Sequence, residues 1–81
     1  MELKEELKLH LQTLRDLLKA RKHGGVQFFD TLIELVDSDF EDCIERILPA
    51  YSMTQHSGFN FEEEAVFIRL WNCAKTIKNS G

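Results

Sequence analysis

The 81-residue sequence lacks any apolar run near the roughly 20 residues that a membrane-spanning helix requires. Its first six residues lack the basic stretch followed by an unbroken apolar stretch that marks a signal peptide. Cysteine is also scarce, and Cys43 and Cys73 alone make a poor disulfide framework. Both cysteines fall in segments of helical apolar periodicity, where a free thiol behaves as a small hydrophobic group. We therefore expect a cytoplasmic protein whose two cysteines are reduced and buried.

Motifs for catalysis and for metal binding are missing too. No glycine-rich phosphate loop is present, and no histidine has the Glu-x-x-His or paired-cysteine spacing of a metal site. Residues 37–42 resemble the start of a calcium-binding loop, but Asp42 occupies the position that requires glycine and Leu48 the position that requires glutamate. A Cys43–His56 catalytic pair would need an exposed thiol, whereas Cys43 is predicted to face inward. The sequence thus predicts no enzyme, no cofactor and no metal ion.

What the sequence does contain is helical apolar periodicity over most of its length. Leucines at three- and four-residue spacing from Leu3 to Leu18 predict a first amphipathic helix. Similar spacing predicts three more helices, so we expect an all-α, compact four-helix domain that spans 1–81 as one unit. The predicted helices are about 2–22, 26–36, 39–48 and 61–78, with a long loop at 49–60. The predicted core comprises Leu7, Leu11, Leu14, Leu18, Phe29, Ile33, Ile44, Ile47, Phe67, Leu70 and Trp71.

Local signals predict where these helices begin and end. The glycine pair at 24–25 should stop the first helix. Ser38 with Glu41, and Asn60 with Glu63, each have the spacing of a capping box. In that motif, the side chain at the cap and the carboxylate three residues later accept hydrogen bonds from each other's backbone N–H groups. We therefore predict capping boxes at the start of the third and fourth helices.

Basic residues are scarce in the middle of the chain. Residues 26–64 carry one base, Arg46, against ten acids, a net charge of −9, whereas residues 1–25 carry +2 and residues 65–81 carry +3. Six of the ten acids lie in the predicted first turns of the third and fourth helices, where the helix dipole stabilises negative charge. The acids that this effect leaves unexplained, which we call the acidic flank, are Asp30, Glu34, Asp37 and Glu45.

We predict that the acidic flank docks on a basic protein partner and accelerates the encounter with it. The long loop is predicted to add contacts, because a loop of this length in a small domain is often functional. Its candidate contact residues are Tyr51, Met53, His56 and Phe59. The negative net charge argues against nucleic acid as a partner, since that binding depends on cations that neutralise phosphates. In size, charge and helix content, the chain is similar to bacterial immunity and antitoxin proteins, which neutralise cationic nuclease toxins, and no motif adds to that likeness.

Two other functions stay open at this point. The fourth helix carries a second apolar patch nearly opposite its core-facing residues, and this patch could form a structural homodimer. The patch comprises Phe61, Ala65 and Ile68. Alternatively, a pocket under the loop at 49–60, near Met53 and Trp71, could bind a small ligand and act as a sensor.

Overall fold

Helices make up most of the computed structural model, which describes residues 2–55 and 58–80 and the side chains of 2–51 and 58–80. Its α-helices are α1 (Leu3–Ala20), α2 (Val26–Ser38), α3 (Phe40–Ile47) and α4 (Phe61–Ser80), and a 3-10 segment runs from Leu48 to Gln55. The prediction of an all-α four-helix domain is confirmed, and the described ranges contain no strand. Within those ranges, no helix has the length and apolar character needed to cross a bilayer.

The central helix is α1, which packs against both α2 and α4. Leu7, Leu11, Leu14 and Leu18 follow the spacing of one helix face, and each is fully buried. Burial of a leucine side chain contributes about 1.5–3 kcal/mol of transfer free energy, so this stripe is a large part of the hydrophobic stabilisation. Leu9, which breaks the stripe, is 47% exposed on the opposite side of the helix.

The predicted core is buried with two exceptions, Ile33 and Trp71, which are only partly buried. In α2, Leu32 and Val36 are buried, so Ile33 lies at the edge of the inner face. Trp71 stays at the edge of the core because its indole N–H donates to the backbone oxygen of Leu48, with the two atoms 2.9 Å apart. A buried indole needs such a partner, and this one lies near the surface.

The capping box predicted at Ser38 and Glu41 is wrong. The α2 helix continues through Ser38, whose hydroxyl donates to the carbonyl oxygen four residues earlier at 3.0 Å. The cap of α3 is Asp39, whose Oδ1 accepts a hydrogen bond from the backbone N–H of Asp42 at 3.2 Å. An aspartate fills this position as well as a serine does, and its charge also suits the positive end of the helix dipole.

The capping box predicted at the start of α4 is confirmed. Asn60 Oδ1 accepts from the backbone N–H of Glu63 at 2.8 Å, and Glu63 Oε1 accepts from the backbone N–H of Asn60 at 2.9 Å. The loop before it is more regular than predicted, because the 3-10 segment occupies most of its length. Pro49 is the second residue of that segment, where its missing N–H is tolerated, and Ala50 after it is buried.

The α1 helix also ends before the glycine pair that was predicted to stop it. Lys22 adopts a left-handed backbone conformation, with φ of 56°. The backbone N–H of His23 then reaches the carbonyl oxygen of Leu18 at 2.9 Å, and the N–H of Lys22 reaches that of Lys19 at 3.1 Å. These two hydrogen bonds satisfy carbonyl groups of the last helical turn, as in a Schellman motif.

Cys43 and Cys73 are both free and buried, as predicted. The Cys43 thiol donates to the carbonyl oxygen of Leu32, with a sulfur–oxygen distance of 3.4 Å. Burial raises the pKa of Cys43 to about 11 and also raises the pKa of Cys73. Because the thiolate is the reactive form of cysteine, both side chains act as packing groups at neutral pH.

Candidate functional site

Two carboxylates of the acidic flank form ion pairs across the contact between α1 and α2, which we call the α1–α2 seam. Lys8 Nζ lies 2.9 Å from Asp37 Oδ2, and Arg15 Nη1 lies 3.3 Å from Asp30 Oδ1. The hydrogen bond from Lys8 holds the pKa of Asp37 below its usual value. These pairs arise because antiparallel packing lays the bases of α1 along the acids of α2. The fold itself thus accounts for Asp30 and Asp37, which weakens the argument for a docking role.

The other two carboxylates of the acidic flank lie on different helices. Glu34 is exposed on α2 and forms no ion pair with any described side chain. Glu45 is exposed on α3, and Lys78 Nζ from α4 lies 2.6 Å from its Oε1. The acidic flank therefore does not form one uncompensated surface, because three of its four acids are paired with bases from neighbouring helices.

Tyr51 is 43% exposed at the start of the predicted loop. Its ring packs on Trp71, with ring centroids 4.8 Å apart. These two rings pack on each other near Trp71, where a small-ligand pocket was predicted, and the pocket itself stays a prediction. His56 and the side chain of Met53 lie outside the described residues, so the contacts predicted for them stay predictions.

Phe59 packs onto the core instead of projecting toward a partner. It is partly buried, and its ring centroid lies 6.2 Å from that of Phe29 and 6.0 Å from that of Phe67. His23 covers its other side, with ring centroids 5.6 Å apart. Tilted aromatic contacts at these separations are favourable. Phe59 thus closes one end of the helix bundle.

An apolar groove opens between α3 and the C-terminal part of α4, and we call it the α3–α4 groove. It has a volume of about 360 Å³. Its apolar lining consists of Phe40, Ile44 and Ile77, and its charged rim consists of Glu41, Glu45 and Lys78. Sequence patterns assigned the apolar residues to the core faces of their helices. They did not reveal the groove, because it depends on which helices become neighbours.

The solvent-facing side of α3 continues the acidic rim of this groove. Asp39, Glu41, Asp42 and Glu45 line a shallower depression beside it. Arg46 Nε lies 2.8 Å from Asp42 Oδ2, and the carboxylate of Asp39 caps the start of α3. Glu41 is exposed and has no ion pair among the described side chains. The α3–α4 groove therefore has an acidic rim with one carboxylate available to a cation.

Among the side chains that the structure describes, Glu63 is the one charged group that is buried, and its role is structural. Glu63 is 1% exposed, and Arg21 from the end of α1 reaches it through Nε at 2.5 Å and Nη2 at 2.6 Å. The same guanidinium also donates to the carbonyl oxygen of Gly58 at 2.7 Å. Hydrogen bonds from Arg21 lower the pKa of Glu63, and the backbone N–H of Asn60 acts in the same direction. A carboxylate held in its ionised form by this many donors ties α1 to α4 and is unsuited to proton transfer.

The second apolar patch of α4 stays in solvent, and we call it the α4 outer patch. Phe61 is 90% exposed, Ile68 is 38% exposed, and Ala65 between them is partly buried. The opposite face of α4 packs against α1 and α3. The helix is therefore buried on one side only, although apolar residues on two sides could also have placed it in the centre of the fold.

Neither metal-binding groups nor comparisons with known proteins add evidence about this site. No group of three His, Cys, Asp or Glu side chains in the described part of the chain is arranged to hold a metal ion. Comparisons with protein families, with curated proteins and with solved structures give no match. The candidate site therefore rests on the geometry and charge of the α3–α4 groove.

Proposed function

We propose that this domain is a non-catalytic protein-binding module that docks a basic protein on the α3–α4 groove. The observation that carries the proposal is an apolar lining of Phe40, Ile44 and Ile77 beside the carboxylates of Glu41 and Glu45. Such a lining lets a partner bury an aliphatic or aromatic anchor, which is the usual source of binding energy. The carboxylates select partners with Lys or Arg next to that anchor.

Two contacts within the chain illustrate the chemistry that the groove favours. Lys4 Nζ lies 5.3 Å from the ring centroid of Phe40, and Lys78 Nζ contacts the carboxylate of Glu45. An amine therefore lies over the apolar lining and another on the acidic rim. A basic amphipathic helix would supply the same groups together with a side chain that fills the groove.

The partner class that we favour is a cationic protein whose own basic surface is blocked by the complex. A nuclease toxin is one such protein, in keeping with the similarity in size, charge and helix content to immunity and antitoxin proteins. We also propose a cytoplasmic location, because two buried, unpaired cysteines suit a reducing compartment.

The test uses as the probe a synthetic peptide with leucines at three- and four-residue spacing and lysines between them, which gives a basic amphipathic helix. Titrated into isotope-labelled protein, it should shift the NMR resonances of Phe40, Ile44 and Ile77. Glu41→Lys should weaken binding roughly tenfold, and affinity should fall with added salt, because the attraction is partly electrostatic.

Glu34→Lys is the matched control, since it makes the same charge change at an exposed acid on another helix. Little change in affinity is expected for this variant. Equal losses for the two variants would indicate unspecific charge attraction, and shifts centred on α2 would contradict the groove as the docking site.

A further inference from the structure

The outer face of α4 presents apolar side chains to solvent along its first half. Phe61 is 90% exposed and Ile68 38% exposed. At about 100° per residue, these two and Ala65 lie within an arc of about 60°, and Asn72 extends the same stripe. A domain of this size gains stability when such a surface is shared with another chain.

The charges on this face are separated along the helix. Glu62 and Glu64 are exposed in its first turn, Arg69 and Lys75 are exposed further along, and residues 65–80 contain no acid. No ion pair joins Glu62, Glu64 or Arg69 to another described side chain. The Lys75 ammonium lies 5.2 Å from the ring centroid of Trp71. The face thus has a negative end and a positive remainder, with no opposite charge paired to its acids.

We infer that a second copy of this chain covers the α4 outer patch, with the two α4 helices packed antiparallel around a two-fold axis near Ile68. A parallel pair would place the acidic first turns of both helices at the same end of the dimer, and like charges close together are unfavourable. An antiparallel pair instead places Glu64 toward the partner's Lys75. The two residues lie on the same flank of the patch, about 20° apart on the helical wheel, as an antiparallel pair requires.

The register follows from the positions along the helix. With the axis near Ile68, the two copies of this residue face each other at the centre. Phe61 lies seven residues away, so the two copies of Phe61 are about 20 Å apart at a rise of 1.5 Å per residue. Each Phe61 then packs on the alkyl stem of the partner's Lys75, and both acids of the first turn face the positive half of the other helix.

The interface is small, which sets the expected affinity. The α4 helix has 20 residues, so its length is about 30 Å, and one helix pair buries less than the roughly 1,200 Å² of a standard interface. We therefore expect a dimer with a dissociation constant of about 10–100 µM. The α4 outer patch shares no residue with the α3–α4 groove, so the two proposals stand or fall separately.

Single cysteine substitutions test the geometry. Ile68→Cys should form a disulfide-linked dimer under mild oxidation, because a disulfide needs Cα atoms within about 7 Å. Phe61→Cys should not, since its two copies are too far apart. Leu9→Cys on the exposed side of α1 measures cross-linking by random collision. All three sites are exposed, so the variants should fold, and the natural cysteines are buried.

Sedimentation equilibrium and a reciprocal charge exchange complete the test. Glu64→Lys or Lys75→Glu alone should weaken the dimer roughly tenfold, and the double variant should restore it, because both cross-chain pairs return with reversed sign. A wild-type chain that stays monomeric at about 500 µM would overturn the proposal. Faster cross-linking at Phe61 than at Ile68, or equal rates at all three cysteines, would overturn it as well.

Discussion

At the α1–α2 seam the acids of one helix meet the bases of the other, whereas at the α3–α4 groove two acids border an opening. The seam joins helices of 18 and 13 residues, with Lys8–Asp37 and Arg15–Asp30 along its length. The groove lies where the 8-residue α3 meets the 20-residue α4. A helix of two turns cannot cover one of more than five. The contact between α3 and α4 is therefore less extensive than that between α1 and α2, and a surface stays open beside α3.

The difference between the two regions also concerns what each charge does. At the seam, exposed ion pairs offset charge that would otherwise repel, although each such pair contributes little to stability. At the groove, Glu41 has no described ion pair and borders apolar side chains. The acids in the middle of the chain therefore fall into two groups: those paired with bases at the seam, and those that border the groove. Only the second group could bind a partner.

The largest expected change in the free energy of unfolding comes from Leu14→Ala, and comparing it with Ile77→Ala shows how differently the two regions are packed. Leu14→Ala in α1 should lower the free energy of unfolding by about 2–5 kcal/mol, because Leu14 is fully buried and its removal leaves a cavity. Ile77→Ala at the groove should cost less than about 1.5 kcal/mol, because Ile77 is only partly buried. Urea unfolding followed by circular dichroism measures both. Equal losses would mean that the groove is filled in solution and would contradict the comparison.

A smaller effect concerns the buried carboxylate of Glu63. Glu63→Gln should lower the free energy of unfolding at pH 7 by about 2 kcal/mol, because its hydrogen bonds from Arg21 and Asn60 lose their charge. The pKa of Glu63 is lowered in the fold. Its contribution is therefore complete above the unfolded carboxyl value of about 4.3 and is lost as pH falls through the folded pKa.

The difference between wild type and Glu63→Gln should accordingly be constant from pH 5 to 8 and shrink below about pH 4. Chemical unfolding at pH 7 and at pH 3 measures this. Glu64→Gln, an exposed neighbour in the same turn, is the control and should change little. A difference that persists undiminished at pH 3 would show that the loss comes from packing or capping rather than from charge.

These contrasts also explain which features the sequence could predict. The four helices, the leucine stripe of α1 and the Asn60–Glu63 box depend on residues within a few positions of one another, so local patterns were sufficient. The pairing of Arg21 with Glu63 spans 42 positions, and that of Lys8 with Asp37 spans 29. Such pairs depend on which helices become neighbours, and no local pattern contains that information.

The candidate site was harder to predict for the same reason. The acidic flank is defined by eliminating acids at helix N-termini, and that rule cannot detect bases supplied by α1 and α4. Glu45 alone of the flank borders the α3–α4 groove. The groove itself forms between α3 and the C-terminal end of α4, which are far apart in the sequence, so no local pattern contains it.

The smallest expected effect lies at the turn that brings α2 back along α1. Lys22 holds a left-handed conformation with φ of 56°, which costs an L-residue with a side chain about 1–2 kcal/mol relative to glycine. Lys22→Gly should therefore raise the free energy of unfolding by about 0.5–1 kcal/mol, after allowing for the greater entropy of glycine in the unfolded chain. Thermal unfolding of the two proteins measures the change.

Lys19→Gly is the matched comparison, because it makes the same substitution within the last turn of α1. It should lower stability by about 1 kcal/mol, since glycine is unfavourable in a helix. If Lys19→Gly lowers the free energy of unfolding and Lys22→Gly raises it, α1 ends in the Schellman motif before the glycine pair. If both substitutions destabilise the protein, the turn in solution does not hold Lys22 in the left-handed region. Another feature must then explain how α2 turns back to pack antiparallel on α1.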